Sequence, residues 1–166
     1  MIRRALKEDV AGMLEIFNDN ILTSTAVYLY EPQTLEQRIA WFEAKQVANE
    51  PIFVYEEEGQ IAGYATYGPY RAYPGYAYTV EHSVYVHKEH QRKGIATKLM
   101  RALIEEANVQ GMKTMVASID AENKASIISH EKLGFEYCGT IRNAGYKFER
   151  WLDVSFYQLN LTGPKI

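Results

Sequence analysis

The sequence predicts an α+β fold on a mixed, mostly antiparallel sheet, and three features carry that expectation: two early amphipathic stretches, a run of β-rich segments after them, and a central strand-helix-strand passage. Residues 8–22 place Val10, Met13, Leu14, Phe17 and Ile21 at helical spacing, and residues 34–47 do the same with Leu35, Ile39 and Phe42. A meander follows: residues 52–55, a Glu58-Gly59 turn, residues 61–67, and residues 78–87, rich in β-branched and aromatic side chains. The strongest helix spans residues 94–110, with Ala96, Leu99, Met100, Leu103, Ile104 and Ala107 on one stripe and Gly111 as its stop. The nearly unbroken apolar run 114–119 then reads as a strand covered on both faces, so that 80–87, the helix and this run make a βαβ unit. A short helix over 123–133 closed by Gly134, and a strand pair over 135–141 and 151–161, complete the chain.

Composition narrows the class. A chain of 166 residues, 47% hydrophobic and 23% charged, fits one domain spanning 1–166, with no repeat or linker to divide it. Its single cysteine, Cys138, rules out an internal disulfide framework. A formal charge of −3 gives no general attraction for phosphate backbones, so no nucleic-acid partner is expected. No apolar run reaches spanning length and no signal-peptide pattern follows the charged start, so no membrane is expected and the location read from the sequence is cytoplasmic.

Between the central strand and the long helix stands Gln91-Arg92-Lys93-Gly94-Ile95-Ala96. Amide hydrogens without partners and the positive end of the helix dipole meet there, and a glycine lets an anion approach the backbone. Neither a Walker A sequence nor a Rossmann glycine fingerprint is present. By residue type alone, the hexapeptide is equally an ordinary helix start with solvated basic side chains. His82, His87 and His90 invite a metal reading, but strand alternation sends His82 and His87 to opposite faces and no further ligand completes a set; no metal is expected.

Gln91-x-x-Gly94-x-Ala96 after a strand resembles the acetyl-CoA pyrophosphate loop of the GCN5-related N-acetyltransferases, with Ala96 replacing the commoner second glycine. About thirty residues on, Asn123-Lys124-Ala125-Ser126 and His130-Glu131-Lys132-Leu133-Gly134-Phe135 resemble that superfamily's second cofactor motif, in which His130 occupies a position more often Tyr. The segments 79–86, 129–131 and 142–147, followed by Trp151, narrow the resemblance to the phosphinothricin and methionine sulfone (or methionine sulfoximine) N-acetyltransferases over nearly the whole chain. The resemblance implies their fold, with a central βαβ acetyl-CoA unit, and a homodimer. It also implies that acetyl-CoA is held by Val84, Tyr85 and Val86, by Arg92, Lys93, Gly94, Ile95, Ala96 and Thr97, and by Asn123 and Lys132. Tyr70, Arg71, Ala72, Thr79, Val80 and Glu81 are the implied acceptor contacts.

An amine attacks a thioester only as the free base, so the site must take up a proton. By type alone Glu81 is a solvated strand carboxylate; the resemblance makes it the general base, with partial burial expected to tune it. A backbone N–H near Val84 would stabilise the oxyanion. His130 is either a general acid, a second amine-side base, or a structural helix histidine. Cys138, between Tyr137 and Gly139, reads as a small buried side chain and not a nucleophile, so direct transfer in a ternary complex is expected.

Seven of the 13 tyrosines fall between Tyr64 and Tyr85, with Arg71 among them. That loop is either a flexible turn or a lid whose Arg71 forks onto a substrate carboxylate or phosphinate; the resemblance favours the lid. Tyr28 and Tyr30 either close the pocket or pack in the core. The expected reaction is acetylation of the α-amine of a small amino acid or analogue, against two alternatives: another primary amine, such as a polyamine or peptide terminus, and a non-catalytic acetyl-CoA sensor.

Overall fold

The computed structural model describes residues 1–165, whose seven strands form one sheet in the order β1-β2-β3-β4-β5-β7-β6. The strands are β1 (Ile2–Arg4), β2 (Ile52–Glu57), β3 (Gln60–Pro69), β4 (Thr79–Val86), β5 (Thr114–Asp120), β6 (Glu136–Lys147) and β7 (Arg150–Asn160). Every neighbouring pair is antiparallel except β4–β5, the parallel pair that the βαβ reading requires. Four helices cover the two faces: α1 (Val10–Thr23), α2 (Leu35–Val47), α3 (Ile95–Val109) and α4 (Lys124–Lys132).

Each helix starts where local chemistry directs it. Thr34 caps α2 through a reciprocal pair with Gln37, Asn123 accepts from the Ser126 amide at the start of α4, and Gly94 precedes α3 in the left-handed conformation, φ +75°. The apolar stripe of α3, with Leu99, Met100, Leu103 and Ala107 buried, packs on Ala65, Val80, Met115, Ala117 and Phe135. On the opposite face, α1 and α2 bury Val10, Met13, Ile16, Phe17, Ile21 and Phe42 against Ile52, Val54 and Tyr64. Strand β4 serves both layers: Val80, Val84 and Val86 face the α3 core, while Tyr85 packs with the α1–α2 core.

Four expectations need correction. The charged start contains β1, which pairs Ile2 with Tyr55 at the sheet edge and is too short to show a period. In α2, Leu35 is exposed, and the buried stripe runs instead through Arg38 and Phe42, with the Arg38 guanidinium 4.0 Å from the Phe17 ring centre and 3.6 Å from that of Trp41. The final hairpin is longer than the strand pair expected, because Phe148 and Glu149 make a tight turn with φ of +53° and +58°, although no Gly or Asn marks it. Cys138 is exposed: the register shifts between Tyr137 and Gly139, which leaves it as the extra residue of a bulge on an edge strand.

Candidate active site

The parallel strands β4 and β5 stay together for only three residues, ending at Glu81 opposite Val116, and then part. Beyond that point β4 remains on β3 and β5 remains on β7. A cavity of about 460 Å³ fills the opening, within the range of small-molecule sites. His82, Ser83, Val84 and Tyr85 form one wall and Ser118, Ile119 and Asp120 the other. Asn123, Ser126 and His130 of α4 close one side, and Thr25, Ala26, Val27 and Tyr28, after α1, close the other.

The ladder shows which backbone groups the opening frees. The His87 amide donates to Ala62 and the Thr79 carbonyl accepts from Tyr70, so odd-numbered residues of β4 turn their amides and carbonyls toward β3. His82, Val84 and Val86 therefore turn theirs toward the opening, where β5 no longer supplies partners. The Val84 N–H thus faces the opening without a strand partner.

At the end of β4 the chain makes one 3₁₀ turn, Lys88–His90, and enters α3 through Arg92 and Gly94, both left-handed at φ +65° and +75°. Two such residues before a helix turn successive amides in one direction, and the first-turn amides of α3 have no acceptor within the helix. A Cβ added at Gly94 would meet nothing within 4 Å, so space lies open over the backbone where a phosphate would sit. No acidic residue stands in that first turn. Arg92 and Lys93 are exposed, Ile95 is buried, and Ala96 and Thr97 are half-buried on the helix. The Lys93 ammonium lies 3.5 Å from Glu57, whose carboxylate also meets His90 at 2.8 Å. Although desolvation opposes it, the hydrogen bond from His90 and the Lys93 ammonium together hold the Glu57 carboxyl below its ordinary range.

Glu81 sits where the strands part, on the side of the sheet opposite Val80 and His82, and accepts a hydrogen bond from Ser118 Oγ at 2.9 Å. The partial burial expected for it is not found: the carboxylate is exposed, since its cross-strand neighbour Gly68 has no side chain and β5 diverges at this level. Further along β5, Asp120 accepts from Thr25 Oγ1 at 2.5 Å, fastening the 24–28 segment over the cavity. The buried Lys147 ammonium fastens it again, donating to the Ser24 carbonyl at 2.7 Å and the Val27 carbonyl at 2.6 Å. Tyr28 lines the cavity, whereas the Tyr30 hydroxyl bonds the Tyr146 carbonyl outside it.

His130 is 4% exposed and its ring stacks on His82, centres 5.1 Å apart. Its Nδ1 lies 2.7 Å from the Ser126 carbonyl and its Nε2 lies 3.1 Å from His82 Nε2. Burial pushes His82 down to about 3, aided by the facing His130, and also lowers His130, against the pull of the Ser126 carbonyl.

The cavity thus brings together Val84, Tyr85, Asn123 and His130, while Glu81, at the level where the strands part, and the α3 loop beyond the end of β4 are not among its lining residues. Lys132, the last residue of α4, is exposed and outside the cavity wall. Arg71, Ala72, Thr79 and Val80 line a different groove, with Gly68, Tyr73, Tyr76, Gln110 and Met112, which shares no lining residue with the cavity. Tyr70 stacks on Tyr76 beside that groove, with the Arg71 guanidinium 5.1 Å from its ring centre. Within one chain, these predicted acceptor residues and the cavity are separate. Sequence reasoning did not find Ser118, Asp120, Lys147 or the partner of His130, because each acts on a residue distant in the chain.

A parted parallel pair with a helix N-terminus at its open end defines the class, and the model of the Acetyltransferase (GNAT) family matches residues 10–135: the chain belongs to that family. It is 45% identical over 160 residues to an L-methionine sulfoximine/L-methionine sulfone acetyltransferase of Salmonella typhimurium, covering 96% of this chain and 94% of the relative. It is 41% identical to a phosphinothricin N-acetyltransferase of Streptomyces viridochromogenes over 98% of this chain and 88% of that one. The solved structure of a Salmonella typhimurium acetyltransferase with its cofactor acetyl-CoA superposes with a TM-score of 0.96 at 43% identity, covering 100% and 96% of the two chains.

Proposed function

We propose that this enzyme transfers the acetyl group of acetyl-CoA directly to the α-amine of a small amino acid or analogue, among them methionine sulfone, methionine sulfoximine and phosphinothricin. The observation that carries the reading is the opening between β4 and β5, which has an anion cradle at one end and a carboxylate at its apex. The loop and first turn from Arg92 to Thr97 would hold the pyrophosphate, and the backbone of Val84 and Val86 would align the pantetheine arm. Tyr85, Asn123 and Lys132 complete the proposed cofactor contacts.

Acetyl-CoA supplies a thioester whose carbonyl carbon the amine attacks. Glu81, oriented by Ser118, takes the amine's proton directly or through water, and the Val84 N–H stabilises the oxyanion. Cys138 lies on the outer strand and lines no part of the cavity, which favours direct transfer over an acetyl-enzyme. His130 belongs to the cavity through its pair with His82. Tyr70, Arg71, Ala72, Thr79 and Val80 are retained as acceptor contacts, with a homodimer as the working form.

Continuous detection of free CoA thiol tests the reading, with methionine sulfone, methionine sulfoximine, phosphinothricin, common amino acids and polyamines as parallel acceptors. Turnover with the amino-acid analogues supports it, and turnover confined to polyamines, or absent throughout, overturns it. Trapping acetylated Cys138 on the productive path would overturn direct transfer. Arg71→Ala is expected to raise KM for phosphinothricin more than for methionine sulfone, with acetyl-CoA affinity unchanged.

A further inference from the structure

The His82–His130 pair is the one buried titratable cluster in the cavity that the proposed reaction leaves without work. A backbone carbonyl can only accept, so the 2.7 Å contact with Ser126 places a hydrogen on His130 Nδ1. A neutral His130 then carries a lone pair on Nε2, and the hydrogen in the 3.1 Å contact belongs to His82 Nε2. His82 Nδ1 consequently holds a lone pair, and it is buried with no partner. Both rings meet the Phe135 ring near its edge or face, at 5.7 Å and 5.0 Å between centres, which leaves them little freedom to turn.

We propose that His82 is a positioning residue that donates its Nε2 hydrogen to the Nε2 lone pair of His130, the tautomer set by the Ser126 carbonyl, and so leaves His130 no Nε2 hydrogen to give to a departing thiolate. The general-acid role that the sequence suggested for His130 is thereby withdrawn. Among the described residues no charged side chain forms a hydrogen bond or ion pair with either ring. α3 presents Ile95, Leu99, Met100, Leu103, Ile104 and Ala107 to this core, and β7 presents Tyr157 and Leu159, none of them charged. The cavity wall adds Tyr28, Tyr85 and Asp120. Glu81 lies on the other face of β4, and Glu131 and Lys132 are exposed at the end of α4. The pair stays neutral across the neutral range and keeps the cavity's electrostatics constant there.

Nitrogen-15 NMR of the full chain tests the assignment without any acceptor, so it succeeds or fails independently of the acyl-transfer reading; only the kinetic arm rests on that reading. His130 is expected to show a protonated Nδ1 and a bare Nε2 across a neutral-pH window, its titration displaced below the ordinary imidazole range by burial. His82→Phe keeps an aromatic ring beside His130 and removes the donor. In that variant His130 titrates inside the window and kcat acquires a new pH limb, which the His82→Phe/His130→Phe double variant lacks. His82→Gln, whose amide N–H can replace the donor, restores the wild-type profile. Protonated His130 Nε2 in the wild type, titration of wild-type His130 within the window, or a His82→Phe profile identical to wild type would each overturn the proposal. Should His82→Phe not fold, the wild-type spectrum decides alone.

Discussion

Ser118 Oγ donates to the Glu81 carboxylate at 2.9 Å across the two strands that separate at that level. The hydroxyl holds the carboxylate at the level where β4 and β5 part, the position from which the proposed reaction draws its base. Glu81→Gln is expected to lower kcat by about 10²–10⁴-fold, the usual range for loss of a general base, with acetyl-CoA affinity preserved. Ser118→Ala, which removes one hydrogen bond and no charge, should lower it by only about threefold to tenfold. Steady-state rates and calorimetric titration with acetyl-CoA separate chemistry from binding in both variants.

Gly94 separates strain from ligand space. At φ +75° an added methyl group costs about 1 kcal/mol of stability, yet it meets no atom of the protein within 4 Å. The volume it fills is the approach to the first-turn amides of α3. Gly94→Ala is therefore expected to weaken acetyl-CoA binding about tenfold or more, or roughly 1.4 kcal/mol, with only a small shift in thermal midpoint. Equal losses in binding and folding energy would place the effect in strain alone.

What was legible in the sequence was what is local. The helix starts at residues 34 and 123, the stripe of α3 and the glycine before it announce themselves within a few residues, and the βαβ unit follows from their order. The Phe148-Glu149 turn was silent because its residues are not those that favour positive φ. The pairs Glu81–Ser118 and His82–His130, and the Lys147 clamp on the 24–28 segment, join residues from separate elements, so no spacing rule reaches them. Arg38 was hidden for another reason: its charge argues for solvent, while its position on α2 puts it among aromatic rings.

Arg38 donates to the Tyr64 hydroxyl at 2.8 Å, its Nε has no partner, and no acidic side chain pairs with it among the described residues. Burying a guanidinium with so few bonds is costly, and replacing such a charge by an apolar side chain is commonly neutral or stabilising by about 1–4 kcal/mol. Arg38→Met combined with Tyr64→Phe, which leaves no buried hydroxyl without a partner, should hold or raise the urea midpoint at unchanged slope. Tyr64→Phe should lower stability by about 1–3 kcal/mol, because it leaves the guanidinium buried without its hydrogen-bond partner.

Acid stability should reveal the buried imidazoles before the carboxylates. His82 titrates at about 3 in the fold, against about 6.5 in an unfolded chain. Between those values the unfolded state binds a proton that the folded state refuses, so this stabilisation is complete above about pH 6.5 and drains away as the pH falls toward 3. Asp9 acts lower down. Burial pushes its carboxyl up, but the hydrogen bonds from Arg3 and the Leu6 amide push it further down, so its contribution is present above about pH 4 and is lost below. Urea unfolding at intervals between about pH 6.5 and 4.5 isolates the imidazoles. His82→Phe should flatten the slope there, and Asp9→Asn should leave it intact while removing part of the loss below pH 4. A His82→Phe slope as steep as wild type would mean that His82 takes up its proton without unfolding, and the neutral pair would then not exist.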